Sequence, residues 1–383
     1  MMKKIRGFGL ILCACSVLAG CNKSAVDVKE KAGEEIVSME EAEYSLPEKY
    51  EKTSDSGKVK FNCELEVPEN IKGQAISTVD VKGLYRCDRE KAWTIFGEGK
   101  EIIEKPETPV DEGRAPEDYY LFANDESLDI NEGITYGSSN SKYYSYIGVT
   151  NPDNLAVFEE TEVSFKSGEE CITELKKIID ELGYHSEDFI FACYPLNFQT
   201  MKNLEEQYLQ EDYLTEEKRK ESWSQEDDAY FIYAYQKYED IPVFHEMMSI
   251  ARSMAYDTPD NAPIQAIYST RGIETLDIGG VYEFEKGEQQ VLLKPFEDIA
   301  AVVEEKFENI LNDADYEVTR AKFYERVYLD EGQKYKADPI WYFEVVENNI
   351  SKGSSLFRVG NCIISLRNFS APVHSLPSEI MTS

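Results

Sequence analysis

The sequence predicts an α+β protein made of tandem small modules, each an antiparallel sheet with a helix packed on one face. Three observations carry this. Segments alternating apolar and polar residues follow one another directly, as half-buried strands do. Aromatic residues make up 12% of the chain, 25 of them Tyr, and such side chains suit a pleated, half-buried surface. At 383 residues the chain is too long for one simple core, so two or three domains are expected. The expected divisions are a leader over 1–20, a tether over 21–57, and modules over 58–155, 156–285 and 286–383.

The leader begins with Lys3, Lys4 and Arg6, followed by an apolar run from Leu10 that ends in small residues at Cys21. This is the order of a secretory signal. The run is about a dozen residues, short of the roughly 20 that span a bilayer. Leu18-Ala19-Gly20-Cys21 resembles the lipobox of bacterial lipoproteins. The resemblance implies cleavage between Gly20 and Cys21, with lipid on the Cys21 sulfur; an ordinary signal peptide with a chance cysteine is the plainer alternative. Asn22 to Gly57 is polar and charged and reads as a tether.

In the first module, Val59, Phe61, Cys63, Leu65 and Val67 alternate with polar residues up to Pro68, which makes a strand. A second strand is expected within 74–87, and a helix over 88–103 with Gly97 and Gly99 weakening its middle. Segments 119–123, 128–136 and 142–149 read as a meander, with a turn at Gly137-Ser138-Ser139-Asn140. In the second module, a strand is expected over 157–165. Ser167-Gly168-Glu169-Glu170 is a capping box opening a helix with Ile172, Leu175, Ile178, Ile179 and Leu182 on one face, closed by Gly183. Strands follow over 189–198, 230–243, 266–276 and 281–284, with a polar helical excursion over 201–222. In the third, Phe296, Ile299, Val302, Val303, Phe307, Ile310 and Leu311 define an amphipathic helix. Strands are expected over 316–329, from Trp341 to Val345, and over 356–366, before a loose tail.

The second and third modules share a helix-strand-strand-strand order, which suggests a duplication. That order, with the Tyr-rich strand ending Asp240-Ile241-Pro242-Val243, resembles PepSY-like domains. Paired modules of this kind are similar to the extracytoplasmic YycH/YycI-type regulators of Gram-positive sensor kinases. Over most of the mature chain the pattern also resembles uncharacterised lipoproteins of gut Firmicutes. The resemblance implies an extracytoplasmic regulatory or binding role. The known regulators hold to the membrane by a helix, whereas this chain carries a lipobox.

Charge and cysteine usage narrow the partners. The net charge is −34, so nucleic acid, whose affinity comes largely from cationic contacts to phosphate, is excluded as a partner. An anionic leaflet would also repel the chain, leaving attachment to the lipid on Cys21. Of eight Cys, five follow Cys21: Cys63, Cys87, Cys171, Cys193 and Cys362. Cys63 with Cys87 and Cys171 with Cys193 are candidate disulfides in an exported protein, against five buried thiols acting as small hydrophobes.

No catalytic motif assembles. His245-Glu246-Met247-Met248-Ser249 approaches H-E-x-x-H but has Ser where the second zinc ligand belongs; His185 and His374 are the other histidines. Ser139-Asn140-Ser141-Lys142 matches S-x-x-K without the K-T-G that accompanies it. Asp129-Ile130-Asn131-Glu132-Gly133 and the group Asn312, Asp313 and Asp315 place oxygens as calcium loops do, yet the same residues form turns. No metal and no cofactor are therefore expected. Phe231, Tyr233 and Tyr235 form the outer row of an aromatic strand and are the candidate binding surface, opposite a core row of Tyr230, Ile232 and Ala234; packing between modules is the alternative. The expectation is a non-enzymatic, membrane-anchored extracytoplasmic lipoprotein binding a protein, peptide or glycan, with possible control of an envelope process. The alternatives are a surface hydrolase of wall or dietary polymer using a carboxylate pair, and a solute-binding lipoprotein.

Overall fold

The computed structural model describes residues 46–71, 75–105, 118–151, 154, 157–158, 163–244 and 259–348, with the backbone of 357–365. The leader, Cys21, His245, His374 and Cys362's side chain lie outside the described residues.

The chain is mixed α/β, mostly sheet, with few helices. Its elements in order are β1 (Lys49–Thr53), β2 (Val59–Glu66), β3 (Ala75–Leu84), α1 (Arg89–Phe96), β4 (Ile102–Glu104), β5 (Asp118–Phe122), β6 (Ser127–Ile130), β7 (Ile134–Gly137) and α2 (Ser141–Tyr146). Then come α3 (Gly168–Glu181), β8 (Phe189–Leu196), α4 (Phe198–Gln210), β9 (Ala229–Tyr238), β10 (Ile241–Phe244), β11 (Ile264–Ser269), β12 (Gly272–Ile278) and β13 (Tyr282–Leu292). Last are α5 (Phe296–Glu308), β14 (Asp315–Leu329), β15 (Tyr335–Asn348) and β16 (Phe357–Ser365).

Several expectations hold. Val59, Phe61 and Cys63 of β2 are buried in alternation with exposed residues. The α3 capping box forms as read: Ser167 Oγ accepts the Glu170 amide at 3.2 Å, and the Glu170 carboxylate accepts the Ser167 amide at 2.8 Å. Leu175, Ile179 and Leu182 point into the core, and Gly183 turns the chain with φ +96°, where a side chain would strain. In α5, Phe296, Ile299, Val303 and Phe307 are buried, but Leu311 lies past the helix end and is fully exposed.

Other segments break where apolar periodicity alone runs on. The stretch 230–243 is a hairpin: Glu239 and Asp240 both take positive φ, the two-residue turn that matches strand twist, and Ile241 pairs back to Tyr238. Segments 266–276 and 128–136 are likewise hairpins, β11–β12 and β6–β7. The helix from Asp88 stops at Phe96, and Gly97 and Gly99 carry the chain into β4. Segment 142–149, expected as a strand, opens as α2, and Val157 and Phe158 are helical rather than extended.

The pairing departs from self-contained modules. Helix-then-meander does occur twice, as α3 followed by β8–β9–β11–β12, and α5 followed by β14–β15–β16. Yet strands of 58–155 have no sheet of their own. β2 joins β14 in parallel, β7 joins β12, and β3 joins β13 in a two-stranded ribbon. β10 also lies parallel to β14, so one sheet of 14 strands crosses both expected boundaries. β2 also pairs antiparallel with β1, and Leu46 is buried in the same core, so 46–57, expected as part of the tether, belongs to the folded body, because a lone strand leaves its backbone groups unsatisfied and neighbouring strands complete them. The outermost strand β1 alternates charge, with Lys49, Glu51 and Lys52 exposed, which discourages edge-to-edge association.

Among the described residues the three largest of five buried apolar clusters follow from this. α5 covers β2, β14 and β15 around Phe296, Phe323, Trp341 and Phe343. α1 and α3 cover one face of β5–β6–β7–β12–β11–β9. α2 and α4 cover part of the opposite face around Tyr144, Leu204, Phe231 and Ile267.

Candidate functional site

The α2 side of the central sheet is only partly covered, and what lies beyond is a cleft of about 940 Å³. Its floor comes from register. Tyr119 on β5, Asp129 on β6, Thr135 on β7, Asp277 on β12, Gln265 on β11 and Tyr233 on β9 stand directly opposite one another from strand to strand, and Thr135, Asp277 and Gln265 of this row line the cleft. Side chains alternate across a strand, so these residues share one face and form a polar row. The adjacent row on the same face is Ser127, Gly137, Thr275, Ile267 and Phe231. The opposite face at these positions is apolar, with Leu128, Leu276, Ala266 and Ile232 all fully buried.

One wall is α2. A Cβ at Gly137 would sit 2.9 Å from Ser141 Oγ, so glycine lets the first turn of α2 lie against the sheet. Segment 148–151 continues that wall.

The wall is tied down by an ionic network whose carboxylates are buried and whose central cation, Arg271, reaches the surface. Glu274 is buried and accepts hydrogen bonds from the hydroxyls of Ser138 and Ser269, and from Arg271 Nε at 2.8 Å. Arg271 also donates to Asp227 Oδ1 at 3.1 Å, and Lys220 Nζ lies 3.4 Å from the same oxygen. Tyr144 of α2 donates to the Asp227 carbonyl at 3.2 Å. The network thus joins the β11–β12 hairpin, the segment before β9, and α2. None of its members stands out in sequence, since the four charges come from three separate stretches.

Asp277 is the charged group of the cleft floor. Its side chain is exposed into the hollow, whose walls nonetheless desolvate its carboxylate in part. This desolvation pushes its pKa up; a hydrogen bond from Thr135 opposes the shift, and the like charge of Asp129 adds to it. The folded protein therefore holds a proton there more tightly than the unfolded chain. The associated penalty is fully present above the folded pKa and fades as pH falls toward the ordinary carboxyl range. Asp277→Asn is accordingly expected to be more stable than wild type at pH 7, with the difference closing toward pH 3.8. Urea midpoints at the two pH values check this, and a less stable variant at pH 7 would sink it.

The groups nearby are poorly suited to act as bases. Burial pushes the Tyr136 and Tyr144 phenols far up, so both stay protonated. Lys142 donates to Asp125 at 3.0 Å, a hydrogen bond that raises its pKa and keeps it charged. Ser139 and Lys142 straddle the entry to α2 and make no Ser–Lys pair of the penicillin-recognising kind.

The remaining sequence candidates sort as follows. Phe231 is buried, packed edge-on against Tyr194 at 5.2 Å, because α4 covers the outer face of β9. Tyr233 is half-buried on the polar row, and Tyr235 is half-buried beyond it. In the opposite row Ile232 and Ala234 are core and Tyr230 is half-buried. Cys63 and Cys87 are free thiols in different cores, which separates that candidate disulfide. Cys171 and Cys193 share a core as free thiols. Burial raises the Cys63 and Cys171 thiols to about 11, so neither is a ready nucleophile. Asn131 accepts the Gly133 amide at 2.9 Å within the β6–β7 turn, and Asn312 donates to Tyr316 Oη at 2.7 Å. Among the described residues, no three His, Cys, Asp or Glu converge as a metal site. His185 is exposed, meets the edge of Tyr85 and stands near the Asp188 carboxylate.

Neither a protein-family model nor a curated protein matches the chain. Among solved structures, it is similar to an uncharacterized protein from Eubacterium rectale ATCC 33656, with TM-score 0.55 and 15% identity over 83% of this chain and 90% of that one. At that identity the likeness concerns the fold alone.

Proposed function

We propose that the chain is a lipid-anchored, extracytoplasmic binding protein that holds a protein, peptide or glycan partner in the sheet-face cleft without chemistry. The observation that supports a binding site there is the polar row, which stands on the face opposite a row holding Leu128, Leu276, Ala266 and Ile232. A ligand-sized hollow floored by convergent polar groups is the usual form of such a site. The anchor rests on the lipobox at 18–21, with 22–45 as the tether that would lift the body from the membrane. We read the two helix-then-meander segments as duplicated PepSY-like units. No helix among the described residues is long and apolar enough to cross a membrane.

The anchor has a direct test. Labelled palmitate is expected to enter the wild-type protein and to be lost in Cys21→Ala, with the variant released to the medium. Label retained by Cys21→Ala would remove this part of the reading. A hydrolase is the second reading, because Asp277 and Asp129 flank Thr135 and the raised Asp277 carboxyl suits a general acid. It requires turnover of a wall or dietary glycan that disappears in Asp277→Asn.

A further inference from the structure

We propose that the cleft selects a cationic ligand, an ammonium or guanidinium group on a basic peptide, with Asp277 as its counter-charge. This deepens the binding reading above and depends on it.

The argument is a balance of charge within the cleft. The cations near its wall already have partners. Lys142 is bonded to Asp125, Lys220 and Arg271 share Asp227, and Arg271 also meets Glu274. Lys218 lies over the Tyr146 ring at 5.2 Å and Lys220 over Tyr143 at 4.6 Å. Among the described residues none of these cations pairs with Asp277. Its titratable neighbour is Asp129, of the same sign, two strands away across Thr135. Among the described residues the floor thus presents at Asp277 a carboxylate with no cation beside it, inside a concave cleft where a charge interaction is stronger than on an open surface.

A basic side chain would relieve that repulsion, and a guanidinium would match the carboxylate in a bidentate pair. Gln265, Thr135 and Thr275 on the floor and Ser141 and Ser145 on the wall offer oxygen acceptors to its remaining N–H groups. The volume accommodates a few residues around one basic side chain. The net charge of −34 acts in the same direction at long range, drawing cations and repelling anionic polymers. A neutral sugar would find hydroxyl partners here but would leave the Asp277–Asp129 repulsion in place.

The test is calorimetric titration of the full-length lipoprotein in detergent at about 0.15 M salt, which limits long-range steering. The probes are tetra-arginine amide and neutral chitotetraose. The variants are Asp277→Asn, Thr275→Trp to fill the cleft, and Glu331→Gln as a control on the exposed β14–β15 turn. Tetra-arginine is expected to bind wild type and Glu331→Gln alike, to weaken about tenfold or more in Asp277→Asn, and to be lost in Thr275→Trp. Equal peptide affinity in wild type and Asp277→Asn overturns the cationic assignment. So does chitotetraose binding that Thr275→Trp abolishes while the peptide fails to bind, although the cleft reading then survives. A wild type that binds neither probe, or a folded Thr275→Trp that binds as wild type does, overturns the cleft reading as well. Should Thr275→Trp not fold, Asp277→Asn still decides the assignment.

Discussion

Glu274→Ala is expected to lower the unfolding free energy by about 2–3 kcal/mol, less than the roughly 3–5 kcal/mol of a fully buried pair because Arg271 is more than a third exposed and partly screened. The Glu274 carboxylate is almost wholly buried and receives Ser138, Ser269 and Arg271. Its removal leaves Arg271 facing Asp227 alone and strands two hydroxyls. Arg271→Ala is expected to cost a similar amount, because it strands Glu274 instead. The double variant should therefore cost clearly less than the two singles added, since each single already contains the penalty for the orphaned partner. Urea unfolding of the three variants measures this. A single-variant cost below about 1 kcal/mol, or strict additivity, would show that the network contributes little. The effect reaches function through α2: Ser138 precedes that helix and Tyr144 within it bonds the Asp227 carbonyl, so a loosened network also loosens a cleft wall.

Trp341→Ala is the second large effect, at about 3–5 kcal/mol. Trp341 is fully buried at the centre of the α5 core, with Phe296 at 5.0 Å and Phe323 at 5.5 Å, both edge-on. Truncation to Ala opens a cavity that rings from three elements cannot refill, whereas Trp341→Phe keeps most of the volume and should cost less than half as much. Because Trp341 belongs to a different core from the cleft floor, ligand affinity should be unchanged while the thermal midpoint falls. Circular dichroism follows the midpoint, since the substitution itself removes a fluorophore. A Trp341→Ala midpoint within a degree of wild type would contradict the core assignment.

The sequence speaks clearly where the interactions are local. The α3 capping box, the Gly183 stop, the buried face of α5 and the alternation in β2 depend on residues within a few positions of one another, and all form as expected. Tight turns at Glu239-Asp240 and Thr270-Arg271 are harder to see, because each is only two residues long and no glycine occupies either turn position. Outer-row Phe231 illustrates the limit from the other side. Its alternation on β9 is plain, but the helix that buries it arrives from 198–210, and nothing local says so.

By itself, then, the chain's order of residues determined α3 and α5, the alternation in β2 and the acidic character. Tertiary structure alone decided that β2, β3 and β7 complete sheets begun elsewhere, and that Asp129, Thr135, Asp277 and Gln265 stand in one row. The physical reason is that backbone pairing between strands far apart in the chain is nearly blind to side-chain identity. Register, which brings those four residues together, is set by the packing of both faces at once.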